Sequence, residues 1–261
     1  MFYDVMNTMT RTDTGYRFSA SEAWSQGRSL FGGLVTAMAI KSMREEVPKT
    51  LPLRALQVTF IGPVPFGEVH VTVTKLRQGK SVTHMQANIL VDGHVHCLVV
   101  AAFGAARESK IECSKLKRPI QKPLKECISR PYFEGLMPKF CQFFDAYWVE
   151  GNMPSTNIKD TNSVIYVSMK DVDNVDETAL VTLADNIPSP ALSMVDKLIP
   201  ASSLVWSLEF LHHQEEYSAE GWQFDTQLLY AKEGYANHTC TIWSPCGKPV
   251  ALSRQSVAVF G

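Results

Sequence analysis

Asp185 stands where an apolar, helix-like segment runs into two prolines. The stretch reads Ala184-Asp185-Asn186-Ile187-Pro188-Ser189-Pro190-Ala191-Leu192-Ser193-Met194. Leu180, Val181 and Leu183 can share one helical face, so a helix is expected over residues 175–183. Pro188 and Pro190 cannot continue it, and the backbone must bend. Apolar surroundings raise a carboxyl pKa, and hydrogen bonds to the ionised form lower it. A carboxyl balanced between the two is suited to general-base work. The local sequence also fits a helix cap or a solvated turn, where Asp is common.

Other chemistries lack their residues. The seven histidines form no H-x-x-x-H or H-E-x-x-H pattern, so no metal is expected, and no organic cofactor. No G-x-S-x-G occurs, which removes the nucleophile elbow of the serine hydrolases. His212-His213 reads as the solvated end of a strand, or as a contact for pantetheine or phosphate. The six cysteines, at 97, 113, 127, 141, 240 and 246, make no C-x-x-C pair and read as reduced thiols. A net charge of -1 gives no reason to expect nucleic acid. The first residues lack a basic segment followed by an apolar run, and no apolar stretch reaches the length of a membrane span. A cytoplasmic location is expected.

The elements that would position Asp185 follow from periodicity. Residues 1–29 read as a polar lead-in with an edge strand over 15–20. Gly32 and Gly33 open a helix that is apolar nearly all round and therefore buried. Strands follow over 53–61, 69–76, 81–91 and 95–103, with a turn at Gly79 and an Asp92-Gly93 hairpin. The chain end repeats this order, with strands over 204–211, 222–231, 235–243 and 249–260 and turns near Gly234 and Gly247. Phe60 registers with Phe210, Gly79 with Gly234, Gly93 with Gly247, and Ala-Phe-Gly at 102–104 with Val-Phe-Gly at 259–261. On this register Gly32 lies opposite Asp185.

Between the repeats, residues 105–131 carry eight Lys or Arg and three prolines without a sustained period, which reads as a crossing linker. Its basic side chains are expected to be solvated, or in part to meet phosphates. Residues 140–149 and 163–169 then supply opening strands, with the 140–148 aromatics in the core or walling a tunnel. The organisation is therefore 1–104, an N-terminal repeat; 105–135, a basic linker; and 136–261, a C-terminal repeat.

A buried helix wrapped by a long antiparallel sheet, twice in one chain, resembles the double hotdog fold, an α+β class. Gly27-Arg28-Ser29-Leu30-Phe31-Gly32-Gly33, Phe60-Ile61-Gly62-Pro63 and Leu76-Arg77-Gln78-Gly79-Lys80-Ser81 resemble the first half of the acyl-CoA thioesterase II family. Ala184-Asp185, the segment from Ser202 to Ser207 and the segment from Gly247 to Gln255 resemble its catalytic segments. The resemblance covers essentially the whole chain. It implies an acyl-CoA thioesterase that releases free fatty acid and CoA, and a homodimer or higher homo-oligomer. Carried over position by position, it implies Asp185 as base, with Ser203 and Gln255 orienting the water. The register then sets Leu53 opposite Ser203 and Leu98 opposite Gln255, so the first repeat reads as a degenerate copy. Gly33, at a helix N-terminus and without a side chain, is the candidate substrate-binding donor for the oxyanion. Two alternatives stay open. One is a non-catalytic acyl-CoA-binding protein. The other is a hotdog hydratase or dehydratase, against which no histidine lies near Asp185 in the sequence.

Overall fold

The computed structural model describes residues 1–159, 161–213 and 217–261. Segments alternating between apolar and polar residues have one face to bury, and here they join into a 13-stranded antiparallel sheet. In chain order the strands are β1 (Thr10–Thr12), β2 (Gly15–Ala20), β3 (Leu53–Phe60), β4 (Gly67–Gln78), β5 (Val82–Val91), β6 (His94–Gly104), β7 (Ile128–Arg130), β8 (Phe144–Glu150), β9 (Ser163–Met169), β10 (Ala201–Phe210), β11 (Trp222–Lys232), β12 (Tyr235–Trp243) and β13 (Pro249–Val259). Their order across the sheet is β1-β2-β4-β5-β6-β3-β10-β13-β12-β11-β9-β8-β7. From the centre outward, β3-β6-β5-β4-β2 on one side mirrors β10-β13-β12-β11-β9 on the other.

The halves join through β3 and β10, where Gln57 pairs with Ser207 and Val58 with Trp206. Gln57 and Ser207 share the offset that relates Phe60 to Phe210, so a pseudo-two-fold axis passes through their pair. Leu56 and Val58 of β3 and Trp206 and Leu208 of β10 are buried on the concave face.

That face covers two helices, α2 (Gly32–Arg44) and α3 (Glu177–Ala184). Every residue of α2 from Gly33 to Ile40 is buried, as its apolar circumference requires. The Asp176 carboxylate caps α3 by accepting from the Ala179 N–H at 2.8 Å. The helices run antiparallel in contact. Gly33 faces Thr182 at one end of the pair, and Arg44 binds Glu177 at the other. A Cβ on Gly33 would lie 2.7 Å from the Thr182 carbonyl oxygen, so the close crossing requires glycine there. Aromatic stacking also ties the halves together: Phe31 lies on Phe140 at 3.9 Å and Trp24 on Phe143 at 4.2 Å.

Several expectations change. The lead-in is not wholly polar surface, because a short helix α1 (Phe2–Asn7) buries Phe2, Val5 and Met6. The strand over Gly15–Ala20 is covered by β1 and is not the edge. Lys139–Phe143 form a 3-10 turn, and only Phe144–Glu150 pair as a strand. Ile128–Arg130, inside the expected linker, form the outermost strand of the second half. Arg118 and Lys122 of the linker are not free in solvent. Arg118 reaches Gln223 at 3.3 Å, and Lys122 donates to the Val149 carbonyl at 2.9 Å. His213 is half-buried rather than fully solvated, and burial pushes its imidazole down to about 4.

Candidate active site

The helix before Asp185 ends at Ala184, and Asp185 is its C-cap. The segment turns through Asn186, whose N–H donates to the Leu183 carbonyl at 3.1 Å. A 3-10 turn over Pro190–Met194 follows. The prolines thus stop the helix rather than kink it, and the carboxyl projects beyond its last turn.

Three separate elements meet there. The Gln255 amide on β13 donates to Asp185 Oδ1 at 2.7 Å, and the Ser203 hydroxyl on β10 donates to Gln255 Oε1 at 2.9 Å. Period-two alternation turns Gln255 inward, where it is only 6% exposed. The register of β10 and β13 shifts between Ser203 and Val205, a bulge at the position that carries the hydroxyl. The Gly33 N–H, in the first turn of α2, faces the Asp185 carboxylate and favours its charged form. All four residues singled out in the sequence therefore converge.

Burial pushes the Asp185 carboxyl up to about 7, although the Gln255 amide and the Gly33 N–H both favour the charged form. No Lys, Arg or His ion pair to Asp185 occurs among the described residues. The carboxyl is held by neutral donors and can change charge near neutral pH. Cys97 of the first repeat lies close enough to feel it; burial and then the Asp185 charge push its thiol up to about 12, so it stays protonated.

Sequence reasoning missed Gly32 and Phe60. A Cβ on Gly32 would lie 2.9 Å from Asp185 Oδ2 and 2.9 Å from the Phe60 ring, so its absence makes room for both. The Gly-Gly pair was legible; the carboxyl it accommodates, some 150 residues away, was not. Gly32 is also the neighbour of Asp185 and not its repeat counterpart. Antiparallel helices set the start of one against the end of the other, so the two-fold carries Gly32 to the start of α3. The counterpart of Gln255 also changes. Leu56 pairs with Ala101 as Trp206 pairs with Gln255, so the inward partner is Ala101, while Leu98 has the opposite parity and points away. Finally, a histidine does adjoin the site. His238 is the cross-strand partner of Gln255 and is 5% exposed. Its distance in sequence from Asp185 hid it.

The description "Acyl-CoA thioesterase N-terminal domain" matches residues 20–104, and "Acyl-CoA thioesterase C-terminal domain" matches residues 124–259. The chain belongs to the acyl-CoA thioesterase family. Among curated sequences none matches it. Its fold is that of solved hotdog proteins. A conserved protein of unknown function with a hot dog fold from Alicyclobacillus acidocaldarius has a TM-score of 0.85 at 17% identity, covering 100% of this chain and 98% of that one. The acyl-CoA thioesterase II TesB2 of Mycobacterium marinum has a TM-score of 0.75 at 18% identity, covering 97% and 95%. A tesB protein of Mycobacterium avium subs paratuberculosis has a TM-score of 0.76 at 12% identity, covering 100% and 99%. The fold is thus a double hotdog. The family's two domain types fall on the two repeats; the converging polar side chains lie in the second, and Gly33 comes from the first.

Proposed function

We propose that this thioesterase-family chain hydrolyses acyl-CoA to free acid and CoA, with water as nucleophile and Asp185 as base. The observation that carries the reading is a buried carboxyl bonded by the Gln255 amide at the N-terminus of a buried helix, with no ion pair among the described residues, where burial pushes it up to about 7. Such a group accepts a proton at neutral pH and returns it without large cost on either side.

The hydrogen bonds assign the remaining roles. Ser203 directs its proton to Gln255, which leaves its oxygen to accept from a water. Gln255 spends its Nε2 on Asp185 and fixes the carboxylate's orientation. The water, held by Asp185 and Ser203, attacks the thioester carbonyl as its proton passes to Asp185. The oxyanion forms beside the first-turn N–H groups of α2, which have no partner within the helix. Gly33 is placed to supply one of them. Its N–H favours the charged carboxylate in the resting state, and as Asp185 becomes neutral the oxyanion becomes the stronger acceptor. Collapse expels the CoA sulfur, which takes the proton from Asp185. Intact turnover in Gly33→Val would remove Gly33 from this scheme. Loss of turnover there would not isolate the N–H, because the new side chain also strikes Thr182.

The reading includes a homo-oligomer of the whole chain and a cytoplasmic setting. Two facts are consistent with that setting: all six cysteines are unpaired, and no helix among the described residues is long and apolar enough to cross a membrane. His238 favours a second reading, a hydratase or dehydratase. Burial pushes its imidazole down to about 4, so it is neutral beside Gln255. A non-catalytic acyl-CoA-binding protein is the third. Incubation with a panel of acyl-CoA thioesters separates the three by product: free thiol, a hydrated or dehydrated acyl chain with the thioester intact, or no change. Thiol release largely lost in Asp185→Asn supports hydrolysis at this site. An intact thioester throughout the panel overturns it.

A further inference from the structure

The pseudo-two-fold axis carries the bulge beside Ser203 onto a bulge in the first repeat. Leu53 pairs with Phe103 as Ser203 pairs with Val257, and Ala55 pairs with Ala102 as Val205 pairs with Ser256. Each bulge passes over one residue, Leu204 in the second repeat and Arg54 in the first. Bulges re-aim side chains and recur beside functional sites. The first repeat has Leu53 and Ala101 in place of Ser203 and Gln255, so it lacks their chemistry. At the bulge itself it has a guanidinium instead of an apolar chain.

Arg54 is half-buried and held in one orientation. Its Nε donates to the Gly104 carbonyl at 2.8 Å, and a Cβ on Gly104 would lie 3.3 Å from Arg54 Cγ. That bond uses the Nε proton and leaves both terminal amino groups without a partner among the described residues. Arg54, Val82, Gly104, Ala105, Ala106 and Arg107 line an open cavity of about 350 Å³. Neither Arg54 nor Arg107 makes an ion pair among the described residues.

The surroundings add positive charge. Arg44 lies over the ring of Phe103, the residue before Gly104. After burial, the charges that push the His213 imidazole down are those of Arg54, His212 and Arg44, in that order. Glu177, at the same end of the helix pair, is taken up by Arg44. Arg44 thus shows what a structural arginine does here: it grips an acid and covers a ring. Arg54 and Arg107 grip no acid and face open space.

We infer that this corner of the first repeat is a second binding site, which takes the phosphate group of a small organic molecule on Arg54 and Arg107. Two planar forks suit a phosphate, with its several acceptor oxygens and more than one charge, better than a single carboxylate. The cavity has the size of a small-molecule site, so Val82, Ala105 and Ala106 are left to meet the body of the ligand. The site is separate from that of Asp185. Helix α2 has 13 residues, so its ends are about 18 Å apart, and Asp185 and Arg44 lie at opposite ends. A nucleotide has the required chemistry, either free or as the nucleotide end of CoA.

Calorimetry on the full chain at low salt tests this, with ADP, CoA and inorganic phosphate as probes, for wild type, Arg54→Leu and Arg107→Ala. Leucine is the residue the second repeat carries at this bulge, so the fold accommodates it. Arg107 is exposed outside any helix or strand, so its truncation should spare the fold. ADP or CoA should bind wild type at least about 10-fold more tightly than inorganic phosphate, because the cavity also meets the rest of the molecule. Each variant should weaken that binding by about 10-fold or more, the loss expected for a hydrogen bond to a charged group, with an unchanged melting temperature. The tighter of ADP and CoA identifies the source of the phosphate. Binding that is unchanged in both variants, or absent from wild type at millimolar concentration, overturns the inference. Inorganic phosphate binding as tightly as ADP and CoA also overturns it, since the site then holds an adventitious ion only. In thiol release, Arg54→Leu should leave kcat/KM for octanoyl-CoA unchanged. A loss of about 10-fold there, absent with octanoyl-pantetheine, would give Arg54 to the phosphates of the substrate and overturn a separate site. Binding is read without turnover, so the inference and the thioesterase reading fail separately.

Discussion

The two ends of the α2–α3 pair each carry a carboxylate at a helix N-terminus, and the two are held in opposite ways. At one end Asp185 meets the first turn of α2, is bound by the Gln255 amide and is faced by the Gly33 N–H, both neutral. At the other end Glu177, in the first turn of α3, is gripped by Arg44. The Arg44 Nε donates at 2.7 Å, its Nη2 binds the second oxygen, and the guanidinium also lies over the Phe103 ring. A carboxylate bound bidentately to a guanidinium is committed to its charged form. A carboxylate among neutral donors in an apolar setting is free to exchange a proton. The related ends of one architecture thus separate structural from chemical use of the same functional group, and the presence or absence of a cation decides which.

The largest effect that could break this comparison is the loss of the base. Asp185→Asn keeps an acceptor for Gln255 and should lower kcat for thiol release about 10²- to 10⁴-fold with an unchanged circular dichroism spectrum. In wild type, kcat/KM should rise with pH through about 7 as Asp185 ionises. A profile flat from pH 5 to 9 would remove Asp185 as the base.

The same group makes a prediction about stability. Its folded pKa, about 7, lies above the ordinary carboxyl value of 3.8. Between those values the native state holds a proton that the unfolded chain has lost, so stability falls as pH rises through this window. Asp185→Asn has no such proton to lose. It should be more stable than wild type above pH 7, by on the order of 4 kcal/mol, and about equal to it below pH 4. Urea melts at pH 4 and pH 8 measure the difference, and a difference that does not change with pH would contradict it.

Arg44→Met should behave in the opposite sense. It leaves Glu177 mostly buried and unpaired, and it should destabilise the fold by about 3 kcal/mol. The pH dependence of kcat per folded molecule should stay as in wild type. A shifted pH profile in that variant would show that the two ends are coupled. The smallest expected effect is that of Gly32→Ala. A methyl there sits 2.9 Å from both Asp185 Oδ2 and the Phe60 ring, so it should cost about 1 to 3 kcal/mol by crowding and displace the pH profile. An unchanged profile would show that the carboxyl does not need that space.

Much of this molecule was legible along the chain. Local alternation marked eight of the long strands, because burying one face of a pleated sheet demands period two. The Gly32-Gly33 opening and the apolar circumference of α2 marked a buried helix. Asp185 stood out as a charge beside two prolines. Family resemblance, and not periodicity, supplied Ser203 and Gln255 and their roles. The lead-in helix escaped notice because Phe2, Val5 and Met6 fill too short a span to show a helical period.

Tertiary structure alone decided the rest. The antiparallel crossing of α2 and α3 set Gly32 against Asp185, which corrected its assignment as a repeat counterpart. Strand register chose Ala101 over Leu98, because a shift of one residue turns a side chain to the opposite face. It also brought His238 beside Gln255. The sequence determined that there are two repeats, that each buries a helix, and that a carboxyl interrupts the second. Whether that carboxyl meets a guanidinium or an amide depends on contacts between residues far apart in the chain. No local pattern encodes such contacts, because they are fixed only when the two repeats close on each other.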